Sequence, residues 1–115
     1  MAYGFDDNKN KVEMGGNNLG TQVTLNNTGG YLSEDNMYTF PADGYVDIFT
    51  TKKGANGCAV RVFGATTTTV SISRYLWQDS QKAPVGDCFF VRKGMRAYCT
   101  APKTSGITVS YSPLQ

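Results

Sequence analysis

Apolar and polar residues alternate with a period of two along most of this chain, the spacing of a strand that buries one face. In TQVTLNN, Val23 and Leu25 alternate with polar neighbours, and Asn26, Asn27, Gly29 and Gly30 close the strand with turn chemistry. Met37 to Phe40 form a short extended piece that Pro41 ends and Asp43 and Gly44 turn. Tyr45 to Thr51 then sets Tyr45, Asp47 and Phe49 against Val46, Ile48 and Thr50. The Val46 and Ile48 side is the apolar one, so it is predicted to face a core. After a turn over Lys52 to Gly57, Cys58, Val60 and Val62 line one face of a strand, with Ala59, Arg61 and Phe63 on the other, and Gly64 stops it.

Thr66 to Trp77 is strongly β-prone, with Val70, Ile72, Arg74 and Leu76 offset from Thr69, Ser71, Ser73, Tyr75 and Trp77. Gln78 to Gly86 reads as a loop. It delivers the chain into CFFVRKGMRAYC, Cys88 to Cys99, two short runs joined by a basic turn at Arg92, Lys93 and Gly94. Ile107, Val109 and Tyr111 alternate with Thr108, Ser110 and Ser112 in a last strand before Pro113. The pattern predicts an all-β fold of about eight to ten short strands in an antiparallel β-sandwich or jelly roll, because one-faced strands must bury that face against a second sheet. Residues 21–115 are predicted to form this domain. Residues 1–20 are rich in Gly, Asn and charge and follow no clear period, so they are predicted to be a flexible N-terminal arm or attachment segment.

Composition supports one β domain. At 115 residues a second core is not expected, and seven Tyr, six Phe, one Trp and 13 Gly fit pleated surfaces joined by turns. The formal charge of +2 is too small, and its basic residues too scattered, to hold nucleic acid by counterion release. No stretch approaches a membrane span, and the early Asp6, Asp7 and Lys9 do not resemble a signal peptide; a cytoplasmically made protein is expected. Three cysteines are an odd number for a secreted disulfide framework and read as thiols.

The chain has no His, which removes the commonest general base near neutral pH, the Ser-His-Asp arrangement and His-containing zinc sites. Cys58, Cys88 and Cys99 lack metal-ligand spacing. Glu34, Asp35, Asp43, Asp47, Asp79 and Asp87 read as turn carboxylates with nothing in their spacing to select a calcium site or an acid-base pair. No enzyme, cofactor or metal is therefore expected. Aromatics near loops, Tyr75, Trp77 and Tyr31, are the better lead, since they offer rigid area for stacking on sugars or for subunit contacts.

Three segments, YTFPADGYVDI, FFVRKGMRAYC and GITVSYSPL, together resemble the compact jelly roll of tumour-necrosis-factor-like and complement-type globular heads, as used in the trimeric fibre knobs of phages and prophages. Phe40, Pro41, Gly44 and Tyr45 match the family's early turn, and Val91, Arg92, Lys93 and Gly94 its late one; Met95 departs from the acidic residue that follows that Gly in the family. MAYGFDDNKNKVEM looks like the start of small virion proteins of gut bacteriophages, where it forms an arm toward other virion proteins.

The resemblance implies a choice at Cys88 to Cys99. A two-residue hairpin at Lys93 and Gly94 would set Cys88 opposite Cys99 for a disulfide. A crossing between sheets would instead send Phe89, Val91, Ala97 and Cys99 to one core. The crossing is favoured, because the hairpin puts Arg96 beside Val91 on a face that Phe89 and Tyr98 want apolar.

The expected protein is thus a non-enzymatic, virion-located homotrimer, a fibre, knob or capsid decoration. Outward Tyr98, Phe90, Phe63, Tyr45 and Phe49 would be its subunit contacts. Its loops would bind a host-surface glycan or protein, with Lys52, Lys53 and Asn56 and then Tyr75, Trp77 and Asp79 as ligand-binding candidates. The rival reading is a monomeric carbohydrate-binding module in which Trp77, Tyr75 and Asp79 hold a sugar.

Overall fold

The structure is a computed structural model that describes residues 2–5, 11–14, 19–27, 29–51, 57–76 and 85–115. Among the described residues, ten strands form three antiparallel sheets. Strands β1 (Ala2–Phe5) and β2 (Lys11–Met14) pair only with each other, so the N-terminal segment, which follows no period in sequence, contains a two-stranded ladder. The remaining strands are β3 (Val23–Thr24), β4 (Tyr38–Thr39), β5 (Gly44–Thr50), β6 (Cys58–Phe63), β7 (Val70–Leu76), β8 (Val85–Val91), β9 (Arg96–Cys99) and β10 (Ile107–Pro113). They make two four-stranded sheets, ordered β3-β10-β5-β8 and β4-β9-β6-β7. The protein is an all-β sandwich.

From β3 onward the chain changes sheet at almost every connection; among the described strands, β6 and β7 are the one consecutive pair that stays in one sheet. This follows from the alternation. Strand β5 is buried and exposed at strictly alternate positions, with Val46, Ile48 and Thr50 inside and Tyr45, Asp47 and Phe49 outside. The facing sheet answers with Cys58, Val60 and Val62 of β6 and Ala97 and Cys99 of β9, and Val109 and Tyr111 of β10 complete one continuous core. Burying each Val, Ile or Phe side chain in it contributes about 1.5–3 kcal/mol.

The Cys88 to Cys99 stretch crosses between sheets. Strand β8 pairs with β5, whereas β9 pairs with β6 and β4. Phe89, Val91, Ala97 and Cys99 share the core, while Cys88 is exposed, and the three cysteines are free. The corner is held by a second corner. Gly94 (φ 89°) donates its N–H to Phe40 O at 2.8 Å, Phe40 donates to Met95 O at 2.9 Å, and Lys93 N–H donates to Asp43 Oδ1 at 2.8 Å. The turn between β4 and β5 is therefore laced to the turn between β8 and β9, which fixes both crossings at one end of the sandwich.

Gly44 is required there by space. A Cβ on it would collide with Ser112 O and come within 2.8 Å of the Tyr111 ring. Tyr111 is fully buried, donates its hydroxyl to Ala42 O at 2.6 Å, and packs against Phe40 with ring centroids 4.8 Å apart.

Several boundaries differ from the sequence pattern. The β-prone run at Thr66 becomes a strand only at Val70, because Arg96 of β9 takes the preceding residues into a loop, donating Nε–H to Gly64 O at 3.0 Å and Nη2–H to Thr67 O. Val85 and Gly86 belong to β8 rather than to a loop, as partners of Thr50 and Phe49. Strand β10 runs through Pro113, opposite Gly44. Leu19 bridges Leu114, so residue 19, before the predicted start of the domain, already pairs with the sandwich.

Candidate functional site

The side chains that reach outward from β5 and β8 form a surface built in three cross-strand rows. Register sets Tyr45 beside Phe90, Asp47 beside Cys88, and Phe49 beside Gly86. In the first row the rings meet edge to face, with centroids 5.4 Å apart. In the third, Phe49 lies over the glycine: a Cβ on Gly86 would come within 3.0 Å of its ring. Two aromatic rows thus flank a row of one carboxyl and one thiol. Tyr45, Phe49 and Phe90 remain 44%, 40% and 38% exposed in the single chain.

This is unusual for an outward sheet face, which normally carries polar residues against water. Large aromatic rings set side by side in solvent are the material of protein interfaces, since they remove much area from water at low entropic cost. Asp47 is the exception within the patch. Burial among its neighbours, followed by the charge of Asp87, holds its carboxyl above the ordinary carboxylate range. The Cys88 thiol is likewise held up by burial, then by Asp47 and Asp87, so the patch does not favour a thiolate nucleophile.

Asp87 itself turns toward the edge of the sandwich, where β7 and β8 lie near one another. Its Oδ2 stands 3.6 Å from Arg74 Nε, and the Arg74 guanidinium lies 5.5 Å from the centre of the Phe89 ring. Arg74, which alternation groups with Val70, Ile72 and Leu76, thus lies over a ring of the core. Both partners are exposed, so the ion pair contributes under about 1 kcal/mol.

Of the five aromatics expected to face a partner, Tyr45, Phe49 and Phe90 lie in this one patch. Phe63 does not: it is 3% exposed and lies on the other sheet. The strand has a register irregularity between Val62 and Phe63, and Arg96, the cross-strand partner of Phe63, ties back the loop that follows. Tyr98, half-buried, meets Phe63 edge to face at 6.1 Å and belongs with it rather than with the patch.

Among the ligand candidates, Tyr75 is on β7 and well exposed, with its hydroxyl close to Gly57. Lys52, Lys53, Asn56, Trp77 and Asp79 lie outside the described residues. Asp47 and Cys88 were not singled out for the patch by their spacing; only the β5–β8 register brings them into it. Among the described residues no group of three His, Cys, Asp or Glu side chains is arranged to hold a metal ion. Comparison with known protein families, with curated proteins and with solved structures finds no match to this chain.

Proposed function

We propose that this chain is a non-enzymatic structural protein of a bacteriophage particle, a fibre knob or capsid decoration, that assembles as a homotrimer through the outer face of β5 and β8. The observation that carries the assembly is the exposed group of Tyr45, Phe90 and Phe49, set by register on one outer sheet face, with Tyr45 and Phe90 in ring contact and Phe49 two rows along. A second copy removes these rings from water without rearranging either chain, and closed symmetry repeats the contact around one axis. Any ligand site on the knob is then presented three times, gaining avidity without high affinity at each copy.

The jelly-roll reading of the sandwich is supported by the order β3-β10-β5-β8 facing β4-β9-β6-β7, an eight-stranded arrangement in which the first and last strands are neighbours. The laced corners at Phe40 to Gly44 and Arg92 to Met95 are the segments whose sequence resembles the knob family. The virion assignment rests on that resemblance, and the trimer on the resemblance together with the patch.

The two parts are tested separately. Genes for capsid, portal or tail proteins on either side of this one are the expected neighbours, and a metabolic operon would contradict the particle assignment. The assembly is tested by solution mass, with Tyr45→Ala as the disrupting variant.

A further inference from the structure

A cleft of about 400 Å³ lies away from the aromatic patch, lined by Val23, Thr24, Asn27, Gly29, Gly30, Tyr31 and Asn36. Its size falls near the lower end of ligand pockets, which span roughly 300–1,000 Å³. We propose that it is a binding site for a single neutral sugar ring, held by the Asn27 and Asn36 amides and the Thr24 hydroxyl with Tyr31 as its aromatic wall.

The frame of the cleft is built rather than loose. Asn26, fully buried, accepts Val109 N–H on Oδ1 at 3.0 Å and donates Nδ2–H to Ile107 O at 2.6 Å. One side chain thereby takes the place of a strand residue beside β10 and anchors the turn in the core. Gly30 donates to Asn27 O at 2.7 Å, Tyr31 donates to Leu25 O at 3.1 Å, and Gly29 turns at φ 73°. Gly30 has no room for a side chain, since a Cβ would stand 2.7 Å from Leu25 O. Tyr31 is fixed from behind by Tyr38, ring edge to face at 5.0 Å, and its carbonyl accepts Cys99 N–H at 2.9 Å. A preorganised wall of this kind lowers the entropic cost of binding.

The chemistry of the lining selects the ligand. Amides and hydroxyls offer both donors and acceptors, as the paired hydroxyls of a sugar require, while an aromatic ring suits its C–H face. Asn36 spends one N–H on Gly30 O at 3.1 Å, which leaves its second N–H and its Oδ1 for a ligand. No charged side chain lines the cleft among the described residues, and Glu34 and Asp35 precede Asn36 on the same 3-10 turn. That setting disfavours phosphate and carboxylate ligands.

The inference does not depend on the assembly proposed above, and Tyr45→Ala should leave sugar binding unchanged. The test is titration of the full chain, followed by amide NMR, with D-glucose, D-galactose, D-mannose and N-acetylglucosamine in turn, and inorganic phosphate as the charged counter-probe. The expected result is that at least one sugar saturably shifts the amides of Asn27, Gly29, Gly30 and Asn36. Asn27→Ala, whose side chain makes no hydrogen bond to the frame among the described residues, should then weaken binding about tenfold or more with the thermal midpoint retained; Asn36→Ala should weaken binding as much, with a small fall in thermal midpoint from the lost bond to Gly30 O. The proposal is overturned if all four sugars leave these amides unmoved, if phosphate moves them as strongly as the best sugar, or if either folded variant binds like the parent chain.

Discussion

The two outer faces of the sandwich each carry an aromatic pair in edge-to-face contact, and the pairs end differently. Phe63 and Tyr98 on the β4-β9-β6-β7 sheet lie 6.1 Å apart, with Phe63 all but sealed by its own chain. Tyr45 and Phe90 on the opposite sheet lie 5.4 Å apart and stay open to solvent. Ring chemistry is the same, so the difference lies in what covers it. On one face Arg96 ties the loop that follows Phe63 back to β9; on the other, the rings of Tyr45 and Phe90 stay exposed among the described residues. One pair is largely covered within the single chain, and the other is exposed and is the pair that the proposed assembly would cover.

The largest test of this contrast is Phe63→Ala. Removing a buried aromatic should cost about 3–5 kcal/mol of folding stability in urea unfolding, independent of protein concentration. A cost near that of an exposed site would mean that the Phe63 ring is not sealed. Arg96→Ala comes next. It removes two hydrogen bonds from a charged donor and should cost about 1.5–3 kcal/mol, with faster hydrogen exchange in the 64–69 loop as its local signature. Unchanged exchange there would show that the loop is held by something else.

Phe90→Ala, on the open face, should change single-chain stability by only about 0.5–1.5 kcal/mol, the worth of an aromatic pair, while reducing self-association. Equal losses for Phe90→Ala and Phe63→Ala would erase the distinction between the faces.

The smallest effect expected is at Asp47. Its carboxyl titrates above the ordinary value of 3.8 in the folded chain, so the fold holds a proton that the unfolded chain has already released. Stability should therefore fall as pH rises through the interval just above 3.8, then level off. Asp47→Asn should flatten that fall in urea unfolding at a series of pH values; an Asn variant with the parent's slope would assign the titration to another group.

The inner face of this molecule was legible in the chain because it depends on local alternation. Val46 and Ile48 point inward as the period of two requires, and the crossing at Gly94 follows from keeping Phe89, Val91, Ala97 and Cys99 on one side. The outer faces were legible only in part. Alternation sets Phe63 apart from Cys58, Val60 and Val62, but whether such a ring is covered depends on neighbours such as Tyr98 and Arg96, more than thirty positions away in the chain. The cleft was hidden for a related reason. Asn26 and Asn27 read alike as turn residues, yet one is buried as a surrogate strand partner and the other is exposed at the rim. No period distinguishes them.

The central claim is that the open face of β5 and β8 is a contact between copies of this chain. Light scattering coupled to size exclusion at micromolar concentration tests it most directly. The account predicts three times the 12.5 kDa chain mass, falling to the single-chain value in Tyr45→Ala. A parent chain that elutes at 12.5 kDa across the concentration range would contradict it.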